Sequence, residues 1–147
     1  MGLDMYLTAK RYIYDFDDEG TALRDALKDL SVNGMEVKEL SYRAGYWRKA
    51  NHIHKWFVDN VQGGVDNCGE YLVSVEDLQK LLALVNEVLT HTNKADKLLP
   101  TTNGFFFGSD LYDEGYYDDL IHTKAIIENV LSIVELRKYD IYYSSSW

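Results

Sequence analysis

The spacing of apolar residues changes along the chain, and this change limits the folds that the sequence can adopt. Near the amino terminus apolar and polar residues alternate strictly, which predicts a β-strand with one buried face. The apolar members of this alternation are Leu3, Met5, Leu7 and Ala9. From Trp47 onward the spacing becomes helical. The apolar members there are Ala50, Ile53, Phe57 and Val61.

Further segments extend this mixed pattern. Thr21 is a candidate N-cap for a helix with apolar residues on one face, namely Ala22, Leu23, Ala26, Leu27 and Leu30. The other predicted elements are strands at 35–46, 70–73 and 139–143, a helix after Ser74 and a long helix at 116–136. With one proline and no low-complexity linker, residues 1–147 predict a single globular domain. We expect an α+β fold with about four helices packed on a small sheet, either mixed or antiparallel.

The charge of the chain excludes broad classes of partner. It holds 24 acidic and 15 basic residues, a formal net charge of −9. This balance disfavours general binding to nucleic acid, which requires Lys and Arg to neutralise phosphates, and docking on an anionic membrane. No apolar run is long enough to span a bilayer, and the first residues lack the bases of a signal peptide. We therefore expect a cytoplasmic protein whose single Cys68 is a buried or inert thiol.

One short window departs from the acidic background. Residues 41–58 contain four bases and no acid, whereas the flanking segments 1–40 and 59–147 carry net charges of −4 and −9. The same window holds two of the four histidines and two of the three tryptophans. This combination of cationic and aromatic side chains indicates a binding site for a small anion.

Helical spacing suggests how this window is arranged. At positions i, i+4 and i+7, Arg48, His52 and Lys55 share one face of the predicted helix. The helix N-terminus adds free N–H groups and a positive dipole, both of which favour an anion. The predicted ligand-binding residues are Tyr46, Trp47, Arg48, Lys49, His52, Lys55 and Trp56. The alternative is that these bases form ordinary ion pairs with the acidic segment 15–18.

Other candidate sites are weaker. His52 and His54 point apart on a helix, so they do not bind one metal, and His54 faces the predicted core. The acidic cluster 110–119 lacks the ligand pattern of a calcium loop and favours the start of the last long helix. No nucleotide-phosphate loop or nucleophile motif occurs. We predict no catalytic residue, metal or cofactor. Phe105, Phe106 and Phe107 are expected in the core, and Trp147 is expected to be docked.

Four blocks of sequence stand out as motifs. They are MGLDMYL at 1–7, GYWRKAN-x-IH-x-WFV at 45–58, GFFFGS at 104–109 and YSSSW at 143–147. Together they resemble a family of short uncharacterised proteins found in phages and prophages. The resemblance implies a phage-derived accessory protein acting inside a bacterial cell, and it implies no established activity.

Three hypotheses for function follow. The first is a non-enzymatic protein that binds a phosphate- or nucleotide-like ligand, which in a phage setting counters a host defence signal. The second is an acidic inhibitor that blocks a basic or nucleic-acid-binding face of a host protein. The third is a hydrolase or transferase that depends on His52. The sequence leaves the oligomeric state open.

Overall fold

The computed structural model describes residues 2–104, 106–133 and 135–147, and these residues form one antiparallel sheet with helices. The strands are β1 (Asp4–Tyr12), β2 (Glu39–Arg48), β3 (Tyr71–Val73) and β4 (Asp140–Ser146). Their order is β2-β1-β4-β3, and each neighbouring pair is antiparallel. The strand nearest the amino terminus therefore lies in the middle of the sheet, paired with the last strand of the chain.

Five helices accompany the sheet. They are α1 (Asp18–Leu27), α2 (Asn51–Asn60), α3 (Val75–Thr90), α4 (Ala95–Leu98) and α5 (Glu114–Leu131). Ser74 caps α3 in a capping box with Asp77, and Asp113 caps α5. With 47% helix and 22% strand, the predicted α+β class is confirmed. Within the described ranges, no helix is both long and apolar enough to cross a membrane.

The core lies between one face of the sheet and the helices. The alternating residues of β1 are at most 3% exposed, as their period of two predicts, and the intervening residues are less buried. One apolar cluster includes residues of all four strands and of α2 to α5. Within it, the rings of Phe57 and Tyr143 stack with their centroids 3.9 Å apart, which joins α2 to β4.

Helix α5 crosses β2 at a point where the strand carries a glycine. A Cβ atom built on Gly45 would lie 2.6 Å from Ile126 Cγ2, so a larger residue there would force the helix away. Two residues further on, the Trp47 indole N–H donates a 2.8 Å hydrogen bond to Thr123 Oγ1 of the same helix. These two contacts fix α5 against the carboxyl end of β2.

Several predicted boundaries are wrong. Helix α1 begins at Asp18, and its N-cap is Asp17, whose carboxylate accepts the Gly20 N–H. This N-cap lies four residues before the predicted one, Thr21. The predicted apolar face of α1 is not buried: Gly20 is the helix's only buried residue among those described. The last long helix ends at Leu131 rather than 136. Val134, within the predicted helix, lies outside the described residues, as does Phe105, which was expected in the core.

The second strand also differs from its prediction. It was expected at 35–46 and instead spans Glu39–Arg48. Trp47 therefore belongs to the strand, and helix α2 starts only at Asn51. Buried Gly45 and Trp47 alternate with exposed Tyr46 and Arg48, which is the period of a strand. Trp47 also fits a helical spacing with later residues, and this spacing is the reason for the wrong boundary.

Candidate functional site

The basic window forms a turn from strand to helix. Arg48 ends β2, Lys49 follows in the left-handed backbone conformation with φ of 62°, and α2 begins at Asn51. The predicted common helical face of Arg48, His52 and Lys55 is therefore wrong, because Arg48 is not in the helix. Instead, the turn brings Arg48 and Lys49 beside the first residues of α2.

A surface pocket of about 300 Å³ opens at this turn. Its walls are the end of β2, the start of α2, the segment 108–113 and the start of α5. Its charged and polar lining includes Arg48, Lys49, His52, Asp113, Tyr116 and Asp119. Three residues of the predicted ligand-binding set, Arg48, Lys49 and His52, thus line one pocket. Two helix N-termini border the same pocket, which adds partial positive charge.

The buried side chain of Asn51 holds the wall of this pocket in place. It is 1% exposed, and its Nδ2 donates to the carbonyl oxygens of Phe107 and Ser109 at 3.1 and 2.8 Å. Its Oδ1 accepts the Thr102 N–H at 2.9 Å. Gly108, between the two bonded carbonyls, has φ of 91° and passes close to Lys49. Thr102, Phe107 and Ser109 are therefore fixed against the start of α2.

His52 is the least expected feature of the pocket. Its side chain is buried at 3% exposure, and its ring lies 4.2 Å from the Tyr116 ring, centroid to centroid. Among the described residues, its buried Nε2 has no hydrogen-bond partner. Burial lowers the His52 pKa to about 3, so the imidazole is neutral at physiological pH. Such a group is a poor general acid or base, which weakens the hypothesis of a His52-dependent enzyme.

Asp119 was not among the predicted site residues. Its partly buried carboxyl lines the pocket, and burial raises its pKa to about 6, with smaller contributions from the negative charges of Asp118 and Asp113 and an opposing one from His122. The sequence held a signal for it, since Asp113, Tyr116 and Asp119 recur at three-residue intervals along α5. The acidic cluster 110–119 by itself predicts only a helix start, a role that Asp113 does fill as the N-cap of α5.

The other predicted ligand-binding residues lie elsewhere. Lys55 forms a 2.6 Å ion pair with Asp59 and borders a different, smaller depression. The hydroxyl of Tyr46 donates to Asp4 Oδ1, on the exposed side of β2. Trp47 and Trp56 are only 2% and 6% exposed. The prediction that these two tryptophans bind the ligand is therefore wrong, because both rings are packed in the core.

The alternative prediction, ion pairing with the acidic segment 15–18, does not match the contacts. Asp15 pairs with Arg24 and Lys38, and Asp17 caps α1. In the part of the chain that the structure describes, Arg48 and Lys49 form no ion pair. Their charges thus remain available to a ligand.

A second polar cluster lies behind the pocket wall. His54 is buried, as expected, with Nδ1 2.7 Å from the Tyr143 hydroxyl and Nε2 2.9 Å from Asp66 Oδ2. The indole N–H of Trp147 donates to Asp66 Oδ1 at 3.1 Å, so this terminal residue is docked at a half-exposed position. Cys68 is exposed, not buried. Both ring nitrogens of His54 have hydrogen-bond partners, so we infer that this cluster has a structural role.

In residues 2–104, 106–133 and 135–147, no group of three or more His, Cys, Asp or Glu side chains is placed to hold a metal ion. No family description, curated protein or solved structure matches the chain. The candidate site therefore rests on the geometry and electrostatics of the pocket.

The raised pKa of Asp119 predicts a gain in stability when its charge is removed. The folded state binds the Asp119 proton more tightly than the unfolded state, so this group destabilises the fold as pH rises through about 6. We expect Asp119→Asn to raise the free energy of unfolding at pH 7.5 by on the order of 1 kcal/mol, after allowance for solvent screening. At pH 4.5 the difference should shrink.

Urea denaturation of the unaltered protein and of Asp119→Asn at the two pH values measures this effect. Because His52 titrates in both proteins, its contribution to the stability cancels in the difference between them. Asp118→Asn is the matched control, because its carboxylate is an exposed neighbour on the same helix. A loss of stability in Asp119→Asn at pH 7.5, or an equal gain in Asp118→Asn, would contradict the assignment.

Proposed function

We propose that the protein binds a small anionic ligand, of the phosphate or nucleotide kind, in the pocket at the start of α2. The observation that carries this proposal is the placement of Arg48 and Lys49, without ion-pair partners among the described residues, beside the first turns of α2 and α5. Cationic side chains and helix N-termini both stabilise an anion. A binding role of this kind needs no catalytic group.

The unpartnered Nε2 atom of His52 supports the binding of a ligand in this pocket. A buried polar atom without a hydrogen bond costs about 1–3 kcal/mol, and such atoms are rare in folded proteins. The neutral imidazole has one donor and one acceptor nitrogen. Nε2 is enclosed by the protein, so a ligand reaches it only when a side chain at the pocket moves, and a ligand hydrogen bond there would remove this cost.

The size of the pocket limits the ligand. About 300 Å³ is the lower end of the range of roughly 300–1,000 Å³ that is typical of small-molecule sites. A mononucleotide or a sugar phosphate is therefore a better candidate than a dinucleotide or a nucleic acid. In the phage setting that the sequence resemblance implies, such a protein would sequester a small host signal.

Removal of the pocket cations should weaken binding. We expect about 1 mM adenosine monophosphate to raise the melting temperature of the protein, because a ligand that binds only the folded state stabilises it. Arg48→Gln and Lys49→Gln should each weaken the affinity by about tenfold or more, as charge-assisted hydrogen bonds are lost. Differential scanning fluorimetry followed by calorimetric titration measures both effects.

Lys55→Gln is the control variant. It removes one positive charge from the same window but lies outside the pocket, so its affinity should match that of the unaltered protein. The proposal fails if adenosine monophosphate, inorganic phosphate and cyclic nucleotides all leave the melting temperature unchanged. It also fails if Lys55→Gln weakens binding as much as Arg48→Gln does.

A second candidate function concerns a different surface, the acidic lobe formed by residues 12–42. This lobe connects β1 to β2 and contains eight acids and three bases. Several of its large apolar side chains are exposed, including Phe16 at 84%, and the rings of Tyr12, Tyr14 and Phe16 contact one another in sequence. Exposed aromatics within an acidic surface suit a basic protein partner, so the proposal of an acidic inhibitor remains.

Salt and one apolar substitution test this second candidate. A basic partner captured from bacterial lysate at low salt should be released at high salt, because exposed charges are screened. Phe16→Ser should reduce its capture, whereas Leu72→Ser, which alters another exposed apolar residue, on β3, should not. Absence of a basic partner at low salt, or equal losses in the two variants, would exclude this function.

A further inference from the structure

Strand β2 lies at one edge of the sheet, so no strand of the described structure lies along its outer side. The 2.9 Å hydrogen bond from the Ile13 N–H to Lys38 O shows which residues of this chain segment point toward β1. Because the backbone groups of successive strand residues point in opposite directions, Leu40 and Tyr42 also point toward β1. The residues whose N–H and C=O groups point away from the sheet are Glu39, Ser41 and Arg43.

These three residues form a short free edge. All three are exposed, and within the described residues no hydrogen bond reaches their outward backbone groups. The free edge ends just before Ala44, where a bulge shifts the register of β2 against β1. Beyond the bulge, Tyr46 O accepts a 2.8 Å hydrogen bond from His122 Nε2 of α5. An unpaired edge of this kind is a template for the addition of another strand.

The charges of the free edge are complementary to themselves. Glu39 and Arg43 are four residues apart on the sheet face opposite the core, and Ser41 lies midway between them. If a second β2 adds antiparallel with Ser41 opposite Ser41, Glu39 of each copy lies opposite Arg43 of the other. In the part of the chain that the structure describes, neither side chain forms an ion pair. Opposite charges directly across an antiparallel pair stabilise it.

We propose that the free edge of β2 binds a second copy of this chain, so that two four-stranded sheets join into one antiparallel sheet. The twofold axis passes through the Ser41 pair, which makes the contact self-complementary and closed. This register also suits the backbone, because the three outward-pointing residues of one copy meet the three of the other. The proposal is independent of the anion pocket, which lies at the opposite end of β2 and involves none of these residues.

The apolar side chains of the edge fit the same register. On the core side of the sheet, Leu40 of one copy lies opposite Tyr42 of the other, and Tyr42 is 48% exposed in the single chain. Beside Tyr42 is an open depression of about 220 Å³, whose walls include the apolar side chains of Val130 and Ile133. Pairing of the two copies therefore removes apolar surface from water, which adds to the backbone hydrogen bonds and ion pairs.

Charge reversal tests the register by analytical ultracentrifugation. In about 150 mM salt, we expect the mass of the unaltered protein to rise from one chain toward two between about 10 μM and about 1 mM. Arg43→Glu places Glu opposite Glu twice, so it should weaken association by about tenfold or more. The double variant Glu39→Arg/Arg43→Glu restores both ion pairs and should associate like the unaltered protein. Lys97→Glu, the same charge change at an exposed residue of α4, is the control and should change little.

Amide hydrogen exchange of the unaltered protein tests the backbone contact without any variant. At high concentration the N–H groups of Glu39, Ser41 and Arg43 should exchange slowly, and on dilution they should exchange fast. Those of Leu40 and Tyr42 should be protected at both concentrations, because they point toward β1. A mass of one chain at about 1 mM overturns the proposal and leaves the edge to a different partner. Association without this alternating protection, or a double variant as weak as Arg43→Glu, also overturns it.

Discussion

The central position of β1 is the constraint on which the rest of the structure depends. It pairs with β2 on one side and β4 on the other, so its alternating apolar residues Met5, Leu7 and Ala9 define the buried face of the sheet. Leu3, directly before the strand, anchors the pocket: Leu3 O accepts the Lys49 N–H at 2.8 Å, and Leu3 N–H donates to Phe106 O at 3.2 Å. The same strand that organises the core therefore positions the cationic turn and the segment opposite it.

The pocket combines two departures from the usual satisfaction of buried polar groups, although Gln62 Oε1 and Ser145 Oγ, outside the pocket, also have no hydrogen-bond partner among the described residues. Other buried polar groups near the pocket are satisfied, as the three hydrogen bonds of Asn51 and the two of His54 illustrate. At the pocket, His52 Nε2 has no partner in the described structure and Asp119 is held at a raised pKa. Buried polar groups without hydrogen-bond partners are expected at functional sites, where groups that are preorganised for a ligand lower the stability of the fold.

Much of the fold was predictable because it follows local rules. The alternation in β1, the Ser74 capping box and the Asp113 cap each depend on residues close in sequence. The predicted start of helix α1 is wrong because its apolar residues have the spacing of a buried face, although none of those described is buried in the structure. Strand β2 was misplaced because Trp47 fits a helical period with Ala50 as well as it fits the strand period with Gly45.

The site was only partly predictable, for a related reason. Charge segregation in residues 41–58 pointed to Arg48, Lys49 and His52, which do line one pocket. The burial of Trp47 depends on where strand β2 ends, and that of Trp56 on which face of α2 packs on the core, so neither could be deduced. The contribution of Asp119 depends on α5 packing against β2 through Gly45 and Ile126, a contact between residues far apart in the chain.

Nitrogen NMR of the histidine side chains tests the central claim, that the pocket around His52 binds a small phosphate ligand. Both ring nitrogens of His52 can be assigned with a His52→Gln variant and followed as adenosine monophosphate is added. We predict that the His52 Nε2 resonance moves with saturation, whereas the resonances of His54, whose two nitrogens are already hydrogen-bonded, stay in place. Saturating ligand that leaves His52 unchanged would contradict the account.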